Sequence, residues 1–208
     1  MIIDVWSDIA CPFCYIGKRN LESALEEFGS EEIEVVYHSF QLDPYAKKEG
    51  KRNSVEDLAN KYGSTLEQAQ KMIDNVIAMG KDVGIHYNYD EVISTNTMNA
   101  HRLTHYAKKF NKGEEVVEEL FKAHFIDGLD VGDIEDLAKI GARVGLDSQE
   151  IIKVLKSKEY ISEVETDMYL AKQYEIGSVP FFIFNKKYAI QGAQPPVSLV
   201  DAMKQSSE

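Results

Sequence analysis

Cysteine is scarce in this chain: among 208 residues there are two, Cys11 and Cys14. A zinc knuckle needs about four ligands. No second cysteine pair is present, and the five histidines at 38, 86, 101, 105 and 124 are scattered. An inert structural bridge between Cys11 and Cys14 would close so short a loop that little chain entropy would be removed. Positive charge is also short. Lys and Arg number 23 against 35 Asp and Glu, for a net charge of −12, which argues against nucleic acid and anionic membrane as partners. No apolar run approaches the length of a membrane span, no repeat of fixed period is evident, and no segment is low in complexity. The opening Met1-Ile2-Ile3-Asp4 has no basic segment of the kind that starts a secretory signal. A cytoplasmic location is therefore expected, where two lone cysteines two residues apart are more often catalytic than structural.

The chain does contain the ingredients of a globular fold, with 44% hydrophobic and 28% charged residues. Its organising stretch is Ser7-Asp8-Ile9-Ala10-Cys11-Pro12-Phe13-Cys14-Tyr15-Ile16-Gly17-Lys18. Downstream, Cys14, Leu21, Leu25 and Phe28 recur at helical spacing as one apolar stripe. Cys11 is thus expected at the tip of a helix and Cys14 one turn inside it, facing the core. Residues i and i+3 on a helix lie within the span of a disulfide. A sulfur at a helix N-terminus meets unpaired N–H groups, which favour its thiolate. Pro12 suits the first turn, where its missing N–H is not needed.

Residues 2–6 read as a buried strand, 11–28 as a helix closed by Gly29, and 33–40 as a second strand, which together make a βαβ unit. Leu42-Asp43-Pro44 ends it, and the charged loop 47–53 is a candidate boundary. Strand character then disappears until about residue 175. Helices are expected from Ser54, from Ser64 or Thr65 to Met79, and over 97–110, 114–126, 134–144 and 158–174, with a capping box at Asp147-Ser148-Gln149-Glu150. Strands return at 179–184 and 188–191, joined by a hairpin turn at Asn185-Lys186-Lys187, and a last helix follows Pro195-Pro196. The two flanking pieces are too small for separate cores, so they should share one sheet. The expected class is α/β, with residues 1–45 and 176–208 as one discontinuous domain and 46–175 as a helical insertion.

A βαβ plus ββα layout with Cys-X-X-Cys opening the first helix resembles the thioredoxin fold, and the helical block between the halves resembles the DsbA family. Cys11-Pro12-Phe13-Cys14-Tyr15-Ile16-Gly17-Lys18, Phe40-Gln41-Leu42-Asp43-Pro44 and Asn96-Thr97-Met98-Asn99-Ala100-His101-Arg102-Leu103 are similar to the cytosolic FrnE-type branch. The resemblance implies a redox-active disulfide in place of a bound cofactor, with protein or peptide thiols as partners and glutathione as a candidate co-substrate. It also implies a cis-proline beside Cys11 at Val179-Pro180, whereas residue types alone favour a trans proline starting a strand. A cis bond there would present the Val179 backbone to an incoming peptide strand, with Phe13 beside it.

The expected chemistry is thiol–disulfide exchange, Cys11 attacking and Cys14 resolving. Phe13 offers the thiolate neither charge nor hydrogen bond, so a less extreme oxidant than the Pro-His type is expected. Two other readings remain: a glutathione-dependent isomerase or transferase of the kappa type, which generally has Ser where this chain has Cys11, and a redox-sensing binding module or holdase. Among the quieter candidates, Asp4 and Asp8 are read as proton acceptors for Cys14 or as solvated or capping groups, the latter favoured. His38 is read as a hydrogen-bonded strand residue. His101 and His105 are four apart, a spacing that could hold a metal, but no third ligand accompanies them and a structural role is favoured. Trp6, Phe13, Tyr15 and Phe40 are candidates for an apolar groove, or core. Lys18 and Arg19 are read as solvated.

Overall fold

A computed structural model describes residues 1–29, 32–47, 51–52 and 55–207. Most of the charged loop, and the Ser54 start signal, lie outside the described residues. A four-stranded sheet has the order β2-β1-β5-β6. Strand β1 (Ile2–Ser7) runs parallel to β2 (Glu34–Ser39) and antiparallel to β5 (Phe181–Phe184), and β5 pairs antiparallel with β6 (Tyr188–Gln191). The register sets Trp6 opposite both His38 and Phe181, and Ser7 opposite Ser39. The order and directions are those of a βαβ and a ββα unit sharing one sheet, the α/β arrangement expected.

Helix α1 (Pro12–Phe28) connects β1 to β2. Gly29 closes it in the left-handed conformation, its amide bonded to the Leu25 carbonyl. A further strand pair, β3 (Lys51–Arg52) with β4 (Ile93–Ser94), falls where no strand was expected, one partner in the charged loop and the other between two expected helices. Two residues a side are too few for period-two alternation to register in a sequence. The block between β2 and β5 holds α2 (Val55–Tyr62), α3 (Leu66–Asp82), α4 (Met98–Lys108), α5 (Gly113–Lys122), α6 (Ile134–Arg143), α7 (Ser148–Lys156) and α8 (Ile161–Gln173). Thr65 and Gln68 form a capping box at the start of α3, while Asp147 caps α7 through its own carboxylate. A π-helical turn, Ala123–Asp127, follows α5.

The helices are anchored to the sheet through α4, which packs on α5, α6, α7 and α8, while α8 and α5 pack on β2. Two residues of the 96–103 stretch, Asn96 and Arg102, tie it to its surroundings. Asn96 donates to the carbonyls of Pro44 and Ala46, and Gln41 donates to Asn96 Oδ1. Arg102 is buried, its guanidinium donating to the carbonyls of Val154, Leu155, Ser157 and Glu159 and so closing the C-terminal end of α7. At the hairpin, Asn185 and Lys186 both have positive φ, 48° and 57°, the requirement of the tight turn whose twist matches two antiparallel strands. Helix α9 (Pro196–Ser207) then returns to pack on α1.

Candidate active site

Strand β1 delivers the chain to a tight turn in which the Cys11 amide bonds the Asp8 carbonyl at 3.0 Å. Cys11 takes the N-cap position of α1 with extended backbone (φ −98°, ψ 111°), and Pro12 follows in the first turn. The Cys14 amide bonds the Cys11 carbonyl at 3.0 Å. Both thiols are free and buried, Cys11 4% and Cys14 2% exposed. Burial pushes the Cys14 thiol well up, and the neighbouring Cys11 sulfur adds to that. Sγ of Cys11 donates to the Val179 carbonyl at 3.6 Å, and the Val179–Pro180 bond is cis. Pro180 is therefore brought to the tip of α1, and Phe13, in the first turn of that helix, is 39% exposed.

Gly17 explains how close that approach is. A Cβ at Gly17 would lie 2.8 Å from Pro180 Cγ and 3.2 Å from Phe182 Cζ. A glycine inside a helix costs stability, so it signals close packing, and here it lets α1 lie directly on the Val179–Pro180 loop. Sequence reasoning passed over Gly17, and also over Tyr87. The Tyr87 hydroxyl donates to the Pro12 carbonyl at 2.7 Å, and its ring meets Tyr15, Tyr89 and Phe125 edge-on. Its signal was weak, since an aromatic in a loop carries no period.

Several expectations are corrected. Lys18 and Arg19 are not solvated. Lys18 is 4% exposed and paired with Glu22 and Glu118, and Arg19 pairs with the same two acids while lying over the Tyr15 ring. Glu22 lies on α1 itself, but Glu118, which buries the pair, comes from α5, and no local pattern in α1 announces it. Asp8 is likewise buried rather than solvated. Burial pushes its carboxyl up, but hydrogen bonds from His101 and the Leu42 amide outweigh this and hold it below the usual range. Trp6 and Tyr15 are core residues, and Phe40 is partly buried against the core.

His38 is a hydrogen-bonded strand residue: Nδ1 lies 2.8 Å from Asp167 and Nε2 2.9 Å from Asp4, with the ring stacked on Trp6 at 4.3 Å. His105 meets the other oxygen of Asp167 at 3.0 Å, and His101 meets Asp8 at 3.3 Å. The two α4 histidines thus serve separate carboxylates. Among the described residues, no three His, Cys, Asp or Glu side chains converge as metal ligands, and no helix is long and apolar enough to cross a membrane.

A sheet of this topology, with a dithiol at the start of its first helix and a cis-proline against it, defines a thioredoxin-like protein. The chain belongs to the DSBA-like thioredoxin domain family, whose model matches residues 2–204. It is 36% identical to a probable DsbA oxidoreductase of Streptomyces coelicolor, covering 100% of this chain and 90% of that one with a TM-score of 0.94. Two more distant structures share the fold alone. One is a 2-hydroxychromene-2-carboxylate isomerase, 16% identical over 99% of this chain and 95% of that one (TM-score 0.70). The other is the cytosolic disulfide reductase DsbM of Pseudomonas aeruginosa with GSH, 12% identical over 100% and 96% (TM-score 0.66).

Proposed function

We propose that this protein is a thiol–disulfide oxidoreductase of the cytosolic, FrnE-type branch, acting on protein or peptide thiols through Cys11 and Cys14. The observation that carries this reading is the placement of Cys11 Sγ at the helix tip, 3.6 Å from the Val179 carbonyl, with Cys14 buried one turn behind. Cys11 attacks a substrate disulfide, and Cys14 then displaces the substrate from Cys11. Val179 and Pro180, with the exposed Phe13, supply an apolar lip along which an extended peptide pairs its backbone. Glutathione is retained as a recycling co-substrate; the DsbM structure with GSH supports it as a candidate.

The test is to replace the resolving thiol. Cys14→Ser should retain attack by Cys11 and accumulate mixed disulfides with substrate polypeptides, and Cys11→Ser should be inert in insulin reduction. The isomerase-like fold lends support to a second reading, in which Cys11 activates bound glutathione. Activity that survives Cys11→Ser and requires added glutathione would establish that reading instead. A Cys pair that toggles binding without turnover would mark a redox-sensing module or holdase.

A further inference from the structure

Ser7 ends β1, in register with Ser39 on β2. Its hydroxyl is buried without an aligned hydrogen-bond partner, an unfavourable placement that asks for a reason. It lies beside the Cys14 sulfur, where it favours the thiolate. Ser7 also lines a cavity of about 10 Å³, together with Ser39, Thr104 and His101. That is room for one water, with hydrogen-bonding side chains from three elements around it. His101 Nε2 lies 3.3 Å from Asp8 Oδ1. Donation of the Nε2 proton to this carboxylate leaves Nδ1 as the ring's acceptor. Asp8 itself is committed, one oxygen to the Leu42 amide at 2.8 Å and the other to His101 and the Ala10 amide.

On the thiol-exchange reading above, we propose that Ser7 and His101 carry the proton away from Cys14 when that thiol resolves a mixed disulfide. Ser7 passes it through water held in the cavity to His101, and Asp8 steadies the resulting imidazolium. The Cys14 S–H proton moves to Ser7 Oγ as the serine's own proton moves on. The Cys14 sulfur forms a bond to Cys11 Sγ, the bond from Cys11 to the substrate sulfur breaks, and that sulfur leaves with the electron pair as a thiolate. The two cysteines are oxidised and the substrate disulfide is reduced. The leaving thiolate takes a proton from solvent, and His101 later returns one.

The other titratable groups nearby are otherwise engaged. His38 lines the cavity, but both its nitrogens are held by Asp167 and Asp4. Tyr37 lines it too, and burial pushes its phenol well above the ordinary value, so it stays neutral. His105 is bonded to Asp167 and Ser39. His124 feels the Asp8 charge from the π-helical turn, but burial pushes it down to about 4 and keeps it uncharged. Cys11 is the reaction partner itself.

The experiment mixes reduced protein with dithiobis(nitrobenzoate), whose released thiolate is coloured, in a stopped-flow instrument. The first release reports attack by Cys11 and the second reports resolution by Cys14. Ser7→Ala and His101→Gln should leave the first phase unchanged and slow the second by about tenfold or more near neutrality. The deficit should shrink as pH rises and hydroxide takes the proton directly, and Ser7→Thr should restore the rate. A second phase within about twofold of the parent in either folded variant overturns the assignment, as does a slowing equal at every pH, which a structural role would give. Should Ser7→Ala not fold, His101→Gln decides alone. Loss of the first phase in the parent protein would instead overturn the thiol-exchange reading.

Discussion

At the scale of single residues, the helix tip depends on what each neighbour withholds as much as on what it supplies. Phe13, two residues after Cys11 in the first turn of α1, offers neither charge nor donor and is partly exposed. A His in its place adds a donor, and a positive charge when protonated, next to the thiolate. That stabilises the reduced form and makes the pair more oxidising. Phe13→His should raise the reduction potential by on the order of 30 mV or more, measured by equilibration in glutathione buffers. An unchanged or lower potential would show that the intervening residue does not set the poise. Gly17 withholds volume. Adding a methyl 2.8 Å from Pro180 Cγ forces either α1 or the proline loop to move. Gly17→Ala should lower unfolding stability by about 1–3 kcal/mol, as overpacked interiors do, and slow the reaction of Cys11 with disulfide peptides. Chemical denaturation and the exchange rate measure the two effects separately. A variant as stable and as fast as the parent would mean the proline approach is not restrictive.

At the scale of elements, β1, β2, α4 and α8 meet around one carboxylate. Asp167 on α8 accepts from the Ser39 amide at 2.8 Å and faces His38 and His105. Burial pushes Asp167 up, but hydrogen bonds from the two histidines and the amide outweigh it and hold the carboxyl far below the ordinary range. For His38 burial pushes downward, and the bonds to Asp167 and Asp4 prevail and raise it. The signs give a window. A depressed Asp167 contributes stability above its unfolded value of about 3.9 and loses it as pH falls. A raised His38 contributes below its unfolded value of about 6.5 and loses it as pH climbs through the folded value. The junction is therefore tightest between about pH 4 and 6.5. Asp167→Asn should cost on the order of 3 kcal/mol in that window and flatten both limbs of the stability–pH curve. Denaturation series across pH read this directly, and a parallel, merely lowered curve would refute the linkage.

The same junction shows what a sequence can and cannot announce. The β-rich runs around Val5, Val35 and Phe182 and the stripe from Cys14 to Leu21 follow local periods, so the sheet and α1 were legible, and Gly29 marked the helix end. Asp167 was not, because the group that explains it, His38, is 129 residues away. His101 meets Asp8 across 93 residues, and Tyr15 meets Glu118 across 103. Burial of Asp8, and of Lys18 against Glu118, follows from such distant partners, and a charged residue read in its own helix or turn looks solvated. The Cys-X-X-Cys pair was legible because both members and the helix that orients them are local. Tyr87 and Gly17 complete the site from outside that window.

At the scale of the whole molecule, a buried core runs through the sheet and the helices between its halves, and the chain carries 35 acids against 23 bases. A net charge of −12 creates a field that every charged substrate must cross before it reaches Cys11. Positively charged disulfide peptides are attracted, and glutathione disulfide, itself an anion at neutral pH, is repelled. Salt screens both effects over a Debye length that falls from about 30 Å at 0.01 M to about 8 Å at 0.15 M. The rate of the first exchange should therefore fall with added salt for a Lys- and Arg-rich disulfide peptide. It should rise for glutathione disulfide and change little for a neutral peptide of the same length. At low salt the basic peptide should lead the neutral one by about tenfold. The measurement is the second-order rate of mixed-disulfide formation on Cys14→Ser, where no resolving step intervenes. Equal salt slopes for the three substrates would show that the local field at the helix tip, not the global charge, governs encounter. The partners of Cys11 would then be selected by the apolar lip of Phe13 and Val179 alone.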